Sequence, residues 1–232
     1  EQEADAEWNR WQRRKEQRRN WKTSQTKRNE NDLGYDSTLK VYFANATHLG
    51  NSAITYLANR REHVLMVVET HLREGPAHAA MNSLKLTGWV PIMAPAVKAE
   101  DNPIGTKGGA MIFHRPWLQS ATPAIAEGPQ GWELPEDDLA WKHFRIKGLH
   151  IVLATIYFDH STGLAGANLD KLDRAVHLTD TGRRLLILTG DYNMEPHEWD
   201  HQLLKAAGLQ IMTAGSTPTC KIRGGSKQND YL

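Results

Sequence analysis

The sequence predicts an α/β fold, with strands and helices alternating around one core. Three observations predict it. Short apolar runs recur at 39–44, 64–68, 150–156 and 185–188, each of strand length and each stopping on a polar or hydroxyl-bearing residue. Stretches with helical character lie between several of them, the clearest at 164–178, where Leu169, Leu172, Val176 and Leu178 give an apolar side. Glycines punctuate the runs at Gly108-Gly109, Gly148 and Gly190.

Taken in order, residues 1–37 are nearly free of aliphatic side chains and cannot form a core. From Arg10 to Arg28 there are nine Lys or Arg against one acid, Glu16, with Trp11 and Trp21 interspersed. Two readings stand for this segment. It is an exposed linker, or it is a phosphate-binding arm in which Arg13, Arg14, Lys15, Arg18 and Arg19 meet a nucleic-acid backbone and the tryptophans stack on bases. The boundary falls near Asn31-Asp32-Leu33-Gly34, so the globular domain is read as 38–232. Charges in that domain balance to about zero, which excludes a general polyanion binder.

Within the domain, 39–45 reads as a first strand ending on Asn45, followed by helical character at 52–61. The run 64–68 is a second strand, ending on Glu69. A helix is expected at 77–84, then Gly88 to Ile92 leads toward a glycine-rich turn that enters a strand at 110–113. That turn lacks the G-x-x-x-x-G-K-[ST] spacing of a phosphate loop, so its glycines are read as permitting close packing. Residues 116–138, rich in Pro, Gly and acids, read as an irregular excursion. A hairpin follows, 141–146 with 150–157, turning at Lys147-Gly148 and ending on Tyr157. After the helix at 164–178 comes the run Leu185 to Leu188, which drives into Gly190 and stops on Asp191, Tyr192 and Asn193. If the chain stays extended, Asp191 and Asn193 point the same way, an acceptor beside a donor at a strand end; a plain turn is the alternative. A last helix is read at 197–207. His197 and His201 are four apart on it, but no H-E-x-x-H pattern supports a metal site there.

The single cysteine, Cys220, excludes an internal disulfide framework and a multi-cysteine zinc site. Together with a polar N-terminus, it sets the expectation of an intracellular setting, nuclear or cytoplasmic. No apolar run approaches the length of a membrane-spanning helix.

In order, these strand ends resemble the endonuclease/exonuclease/phosphatase superfamily, the fold of DNase I. The resemblance covers roughly 38–232. It rests on Asn45 in Phe43-Ala44-Asn45, Glu69 in Val67-Val68-Glu69-Thr70, and the strand Gly108-Gly109-Ala110-Met111-Ile112. It rests further on Tyr157, on Gly190-Asp191-Tyr192-Asn193, and on Asp230-Tyr231. It implies a four-layer sandwich of two mixed β-sheets flanked by helices. It also implies a phosphodiester hydrolase using Mg²⁺, or Mn²⁺, with Glu69 and Asn45 at the metal and Asp191, Asn193, Tyr157 and Asp230 as catalytic residues. Thr217-Pro218-Thr219 and the short loops resemble the endonuclease domains of non-LTR retrotransposons, which implies nucleic acid, DNA first, as the partner. A phosphatase or RNA nuclease on the same scaffold, and a non-catalytic nucleic-acid-binding module, are the alternatives. The family's C-terminal Ser-Asp-His is not present before Leu232, so the domain is expected to be C-terminally incomplete. Asn229 stands where the family has an apolar residue. Phe158-Asp159-His160 departs from the usual Pro-containing turn, and His160 reads as a surface-loop residue or a substrate-facing one.

Overall fold

In a computed structural model of the protein, the residues described are 38–99, 105–118, 120, 138–146, 148–160, 162–179 and 184–212, with the backbone of three short strands between 220 and 231. The residues from Lys40 onward form one compact unit. The basic segment carrying Arg13, Arg14, Lys15, Arg18 and Arg19 lies outside the described residues.

The first half runs β1 (Val41–Asn45), α1 (Asn51–Ala58), β2 (Val64–Val68), α2 (Glu74–Leu86), β3 (Val90–Ala94), the small pair β4 (Val97–Lys98) and β5 (Thr106–Lys107), and β6 (Ala110–His114). The second half runs β7 (Leu139–Ile146), β8 (Leu149–Tyr157), α3 (Gly166–His177), β9 (Leu185–Asp191), α4 (His201–Ala206), β10 (Cys220–Ile222), β11 (Gly225–Lys227) and β12 (Asp230–Tyr231). One mixed sheet has the order β1-β2-β6-β3 and the other β12-β9-β8-β7. In each, one pair is parallel, β1 with β2 and β8 with β9, and the rest are antiparallel.

The sheets lie face to face with helices outside, the expected four-layer sandwich. Strand β2 shows why its sequence is apolar throughout. Leu65 and Val67 face α1 and α2, packing with Leu57, Ala77, Leu84 and Phe113. On its other face Met66 meets Thr189 of β9, whose hydroxyl donates to the sulfur at 3.9 Å. A strand covered on both faces has no solvent side to carry polar residues. The outer core of the second sheet gathers Val152, Ala154, Ile156 and Phe158 against Leu172, Ala175, Tyr192 and Trp199. Among the described residues, no helix is long and apolar enough to cross a membrane.

Three details differ from the sequence reading. Helix α2 starts three residues early, at Glu74, because Pro76 sits in a first turn whose N–H groups have no helical acceptor anyway. The helix expected at 197–207 is broken. A 3₁₀ turn, Pro196–Glu198, is separated from α4 by Trp199 in an extended conformation. Trp199 drops into the core against Tyr192 and Phe158, with ring centroids at 5.3 and 6.0 Å. Asp200 then caps α4, accepting from the amides of Gln202 at 2.8 Å and Leu203 at 3.1 Å. His197 and His201 thus lie on separate elements, and His197 pairs with Glu195 at 3.3 Å. The third difference concerns Asp191 and Asn193 and belongs to the site.

Candidate active site

Two parallel pairs bring four polar strand ends to one place. Asn45 is in register with Val68, so Glu69 is the next residue beyond it. Tyr157 is in register with Asp191, and on the opposite side β12 sets Asp230 in register with Asp191. The side chain of Asp230 lies outside the described residues. One bond joins the two sheets here: Asn45 Nδ2 donates to Asp191 Oδ2 at 3.0 Å. The Asn45 Oδ1 accepts from the Thr47 amide at 2.9 Å, so both ends of this side-chain amide are engaged.

Asp191 is 5% exposed. The chain does not stay extended after it. Asn193 has φ 49°, a left-handed conformation that Asn tolerates better than most residues. Its backbone N–H donates to Asp191 Oδ1 at 3.0 Å, closing an Asx turn. Its side-chain Nδ2 donates to the Phe158 carbonyl at 2.8 Å. The plain turn is therefore what forms, and Asp191 is joined to Asn193 through a backbone amide and not through the alternation of an extended strand. Gly190 is required one residue earlier, because a Cβ there would collide with the Ile156 carbonyl.

Glu69 differs from Asp191 in every respect. It is half-buried, sits at φ 52° and accepts no hydrogen bond and no ion pair among the described residues. Left-handed backbone at a non-glycine residue costs about 1–3 kcal/mol and gathers at functional sites. The conformation is held by the two residues that follow. Thr70 N donates to Gly109 O at 3.3 Å and His71 N donates to Gly108 O at 3.1 Å.

Tyr157 lies within the field of both carboxylates. Burial, then the charges of Glu69 and Asp191, push its phenol up to about 12, while a hydrogen bond from the Asn193 side chain pulls the other way. The group is a neutral O–H donor throughout the physiological range and not a base.

Glu69, Asp191 and Asn45 offer oxygen atoms only, with no imidazole or thiolate, which fits a hard divalent cation. Among the described residues no group of three or more His, Cys, Asp or Glu converges as a ready-made metal cage. Two carboxylates and an amide suit a cation such as Mg²⁺, which keeps several waters and takes the rest of its ligands from a substrate phosphate. Just downstream of Glu69, a cleft of about 610 Å³ is lined by His48, His71, Leu72, Arg73, Glu74 and Thr106 among others. His160 is exposed.

The structure also places residues that the sequence did not single out. Asp138, read as the end of an irregular excursion, is 2% exposed and bonded to Gly109 and Lys171. Lys171, on α3, is 8% exposed. Burial raises the Asp138 carboxyl above its usual range, against the pull of Lys171 and the Gly109 amide. Burial also acts to raise Asp159, but Lys107 and Lys171 outweigh it and hold that carboxyl below its usual range. Lys171 lies between Leu169 and Leu172 on an amphipathic helix, where its charge alone does not mark it as an interior residue.

The sequence matches no protein-family model and no curated protein. Solved structures do match. The endonuclease domain of TRAS1, a telomere-specific non-LTR retrotransposon, is similar over 84% of this chain and 84% of that one, with 19% identity and a TM-score of 0.54. An endonuclease/exonuclease/phosphatase family protein from Leptotrichia buccalis C-1013-b is similar over 84% and 86%, with 10% identity and a TM-score of 0.58. A humanized D. rerio TDP2 carrying 14 mutations is similar over 84% and 82%, with 12% identity and a TM-score of 0.53. At such identities the likeness is one of fold.

Proposed function

We propose, for a chain with the endonuclease/exonuclease/phosphatase fold, that it is a Mg²⁺-dependent phosphodiester hydrolase that nicks DNA in the manner of a retroelement endonuclease. The observation that carries this reading is the bond from Asn45 to Asp191. It draws the ends of two separate sheets into one site holding two carboxylates, an amide and a neutral phenol. A strand end that merely met solvent would need no such bond.

The reaction is attack by water on the phosphorus of a diester. The new P–O bond forms from the water oxygen, which gives up a proton, and the bond to the leaving sugar oxygen breaks, that oxygen taking up a proton from solvent to leave as a hydroxyl. Glu69 and Asn45 would hold the cation, whose chemistry is to neutralise charge building on the phosphate oxygens. Asp191, fixed by Asn45 and by the Asn193 amide, orients the water and takes its proton, since a carboxylate accepting two hydrogen bonds still has lone pairs to offer. Tyr157 donates its phenol hydrogen to a phosphate oxygen, and Asn193 places that phenol. Both groups are neutral, so they approach an anion without displacing the cation. Arg73, His71 and His48 line the cleft built from residues that follow Glu69 in the chain, and a polyanion's neighbouring phosphates would run past them.

The test is conversion of supercoiled plasmid to the open circle with Mg²⁺. Nicking that disappears with EDTA, with Asp191→Asn and with Glu69→Ala is the expected result. DNA binding without cleavage of DNA or RNA in any divalent cation would overturn it. Similarity in fold to the TRAS1 endonuclease domain, and not to a small-phosphoester enzyme alone, is why DNA is the first substrate to offer.

A further inference from the structure

We infer that Lys171 is a positioning residue that sets the separation between Tyr157 and Glu69 through a partly buried ring of charges spanning the two sheets. The inference rests on the reading above, in which the Tyr157 phenol meets the phosphate and Glu69 the cation.

The Lys171 ammonium has three N–H bonds and three acceptors: the Tyr157 carbonyl at 3.1 Å, Asp159 Oδ2 at 3.1 Å and Asp138 Oδ2 at 3.3 Å. Tyr157 is the last residue of β8, where the sheet ladder runs out. Its backbone is nevertheless held at both groups. Its N–H donates to the Asp138 carbonyl at 2.9 Å, and its carbonyl accepts from Lys171. The ring then crosses to the other sheet. Asp138 Oδ1 accepts from the Gly109 amide at 2.9 Å, and a Cβ at Gly108 would fall on that same carboxylate. Gly108 and Gly109 in turn accept from His71 and Thr70, the residues that fix the left-handed turn at Glu69. Every step from Tyr157 to Thr70, the neighbour of Glu69, is one hydrogen bond or one residue. Asp159 closes the outer side, bound to Lys107 at 2.9 Å and clasped by Asn168, which accepts from its amide at 2.7 Å and donates to its carbonyl at 3.0 Å.

Stability alone does not account for such a group. Two lysines and two aspartates give no net charge; Lys171 and Asp138 are its buried pair, and a buried ion pair is commonly no more stable than apolar side chains of the same volume, while the partly exposed Lys107–Asp159 pair adds little. What an apolar filling lacks is direction. It leaves the Tyr157 carbonyl, at the end of β8, without the N–H donor that Lys171 supplies. A shift of about 1 Å at a reacting group costs on the order of 100-fold in rate. A positioned phenol is therefore worth a ring that contributes little to folding.

The experiment places 3-fluorotyrosine at position 157 and records its ¹⁹F line in the wild-type chain and in Lys171→Met, alongside plasmid nicking. Because the methionine variant leaves Asp138 buried without its cation, Lys171→Met/Asp138→Asn is read in its place if circular dichroism shows the single variant unfolded. The expected result is a single narrow line in the wild type that shifts or splits in the folded variant. With it, kcat falls about 10- to 100-fold while KM changes less than about threefold. A folded variant with an unchanged line overturns the inference, as does a loss confined to KM. If the wild type does not nick at all, the proposed activity fails, while the ¹⁹F line still decides whether Lys171 positions residue 157.

Discussion

The two carboxylates of the site are held in opposite ways. Asp191 ends β9, is almost fully buried, and has both oxygens engaged by Asn45 and Asn193. Glu69 follows β2, is half-buried, sits in a left-handed turn, and has neither oxygen engaged among the described residues. The difference teaches a division of labour. A carboxylate fixed by two donors has a defined direction and suits an oriented proton acceptor. A carboxylate with free lone pairs in a strained turn suits a ligand that an ion completes. Chain geometry alone makes this distinction; residue type does not.

Cleavage assays break or sharpen it most strongly. Asp191→Ala should lower nicking by about 10²–10⁴-fold at any Mg²⁺ concentration, the span for loss of a positioned proton acceptor. Glu69→Ala should lose activity at low Mg²⁺ and recover part of it at high Mg²⁺ or Mn²⁺, because its defect is in holding the ion. Equal behaviour of the two variants across a metal titration would erase the contrast. Asn193 offers a finer test. Asn193→Gly keeps the left-handed turn and loses the amide; Asn193→Ala loses both. The alanine variant should unfold more readily by about 1 kcal/mol in urea, with comparable loss of nicking in the two. Equal stabilities would show that the turn bears no strain.

Acidity gives a third handle, away from the site. Burial lowers His114 and His143 below the ordinary imidazole value, with Lys142 adding to it at His114 and Arg184 and His150 adding to it at His143. The folded chain keeps these rings neutral while the unfolded chain takes the protons. Stability is therefore full above about pH 6.5 and is lost as the pH falls below it. Asp138, raised by burial, works the opposite way at lower pH. Melting temperatures should drop from pH 7.5 to 5.5, and the His114→Gln/His143→Gln variant should flatten that slope; a slope unchanged in the variant counts against it. The smallest effect is expected at the cleft. Arg73→Ala should weaken DNA binding modestly and reduce the salt dependence by about one phosphate contact, read from binding at several salt concentrations.

Much of this was legible in the sequence. Fully buried strands such as β2 announce themselves as unbroken apolar runs, and a polar residue where the run stops marks the strand end. That is how Asn45, Glu69, Tyr157 and Asp191 stand out, and the parallel pairing that gathers them is a property of the sandwich. The geometry around Asn193 was not legible, because Gly-Asp-Tyr-Asn fits an extended strand and an Asx turn equally well. Asp138 and Lys171 were hidden for a different reason. An aspartate after a Pro- and Gly-rich stretch reads as solvated, and a lysine in an amphipathic helix reads as surface. Only their mutual approach across the fold makes them interior residues. The break at Trp199 was likewise decided by a ring entering the core, against a locally helical pattern.

The β7–β8 hairpin has one more consequence, for the order in which the chain assembles. Its strands pair from Ile146↔Leu149 at the turn to Leu139↔Ile156 at the far end. A hairpin closed by so short a loop forms within microseconds, ahead of the long-range pairing of β2 with β6. Zipping from Gly148, it reaches Tyr157 last, and the ring of charges closes only when α3 has docked. Within this hairpin Tyr157 is thus the last residue to be reached, and an early hairpin leaves the site unassembled until β9 and the other sheet have packed against it.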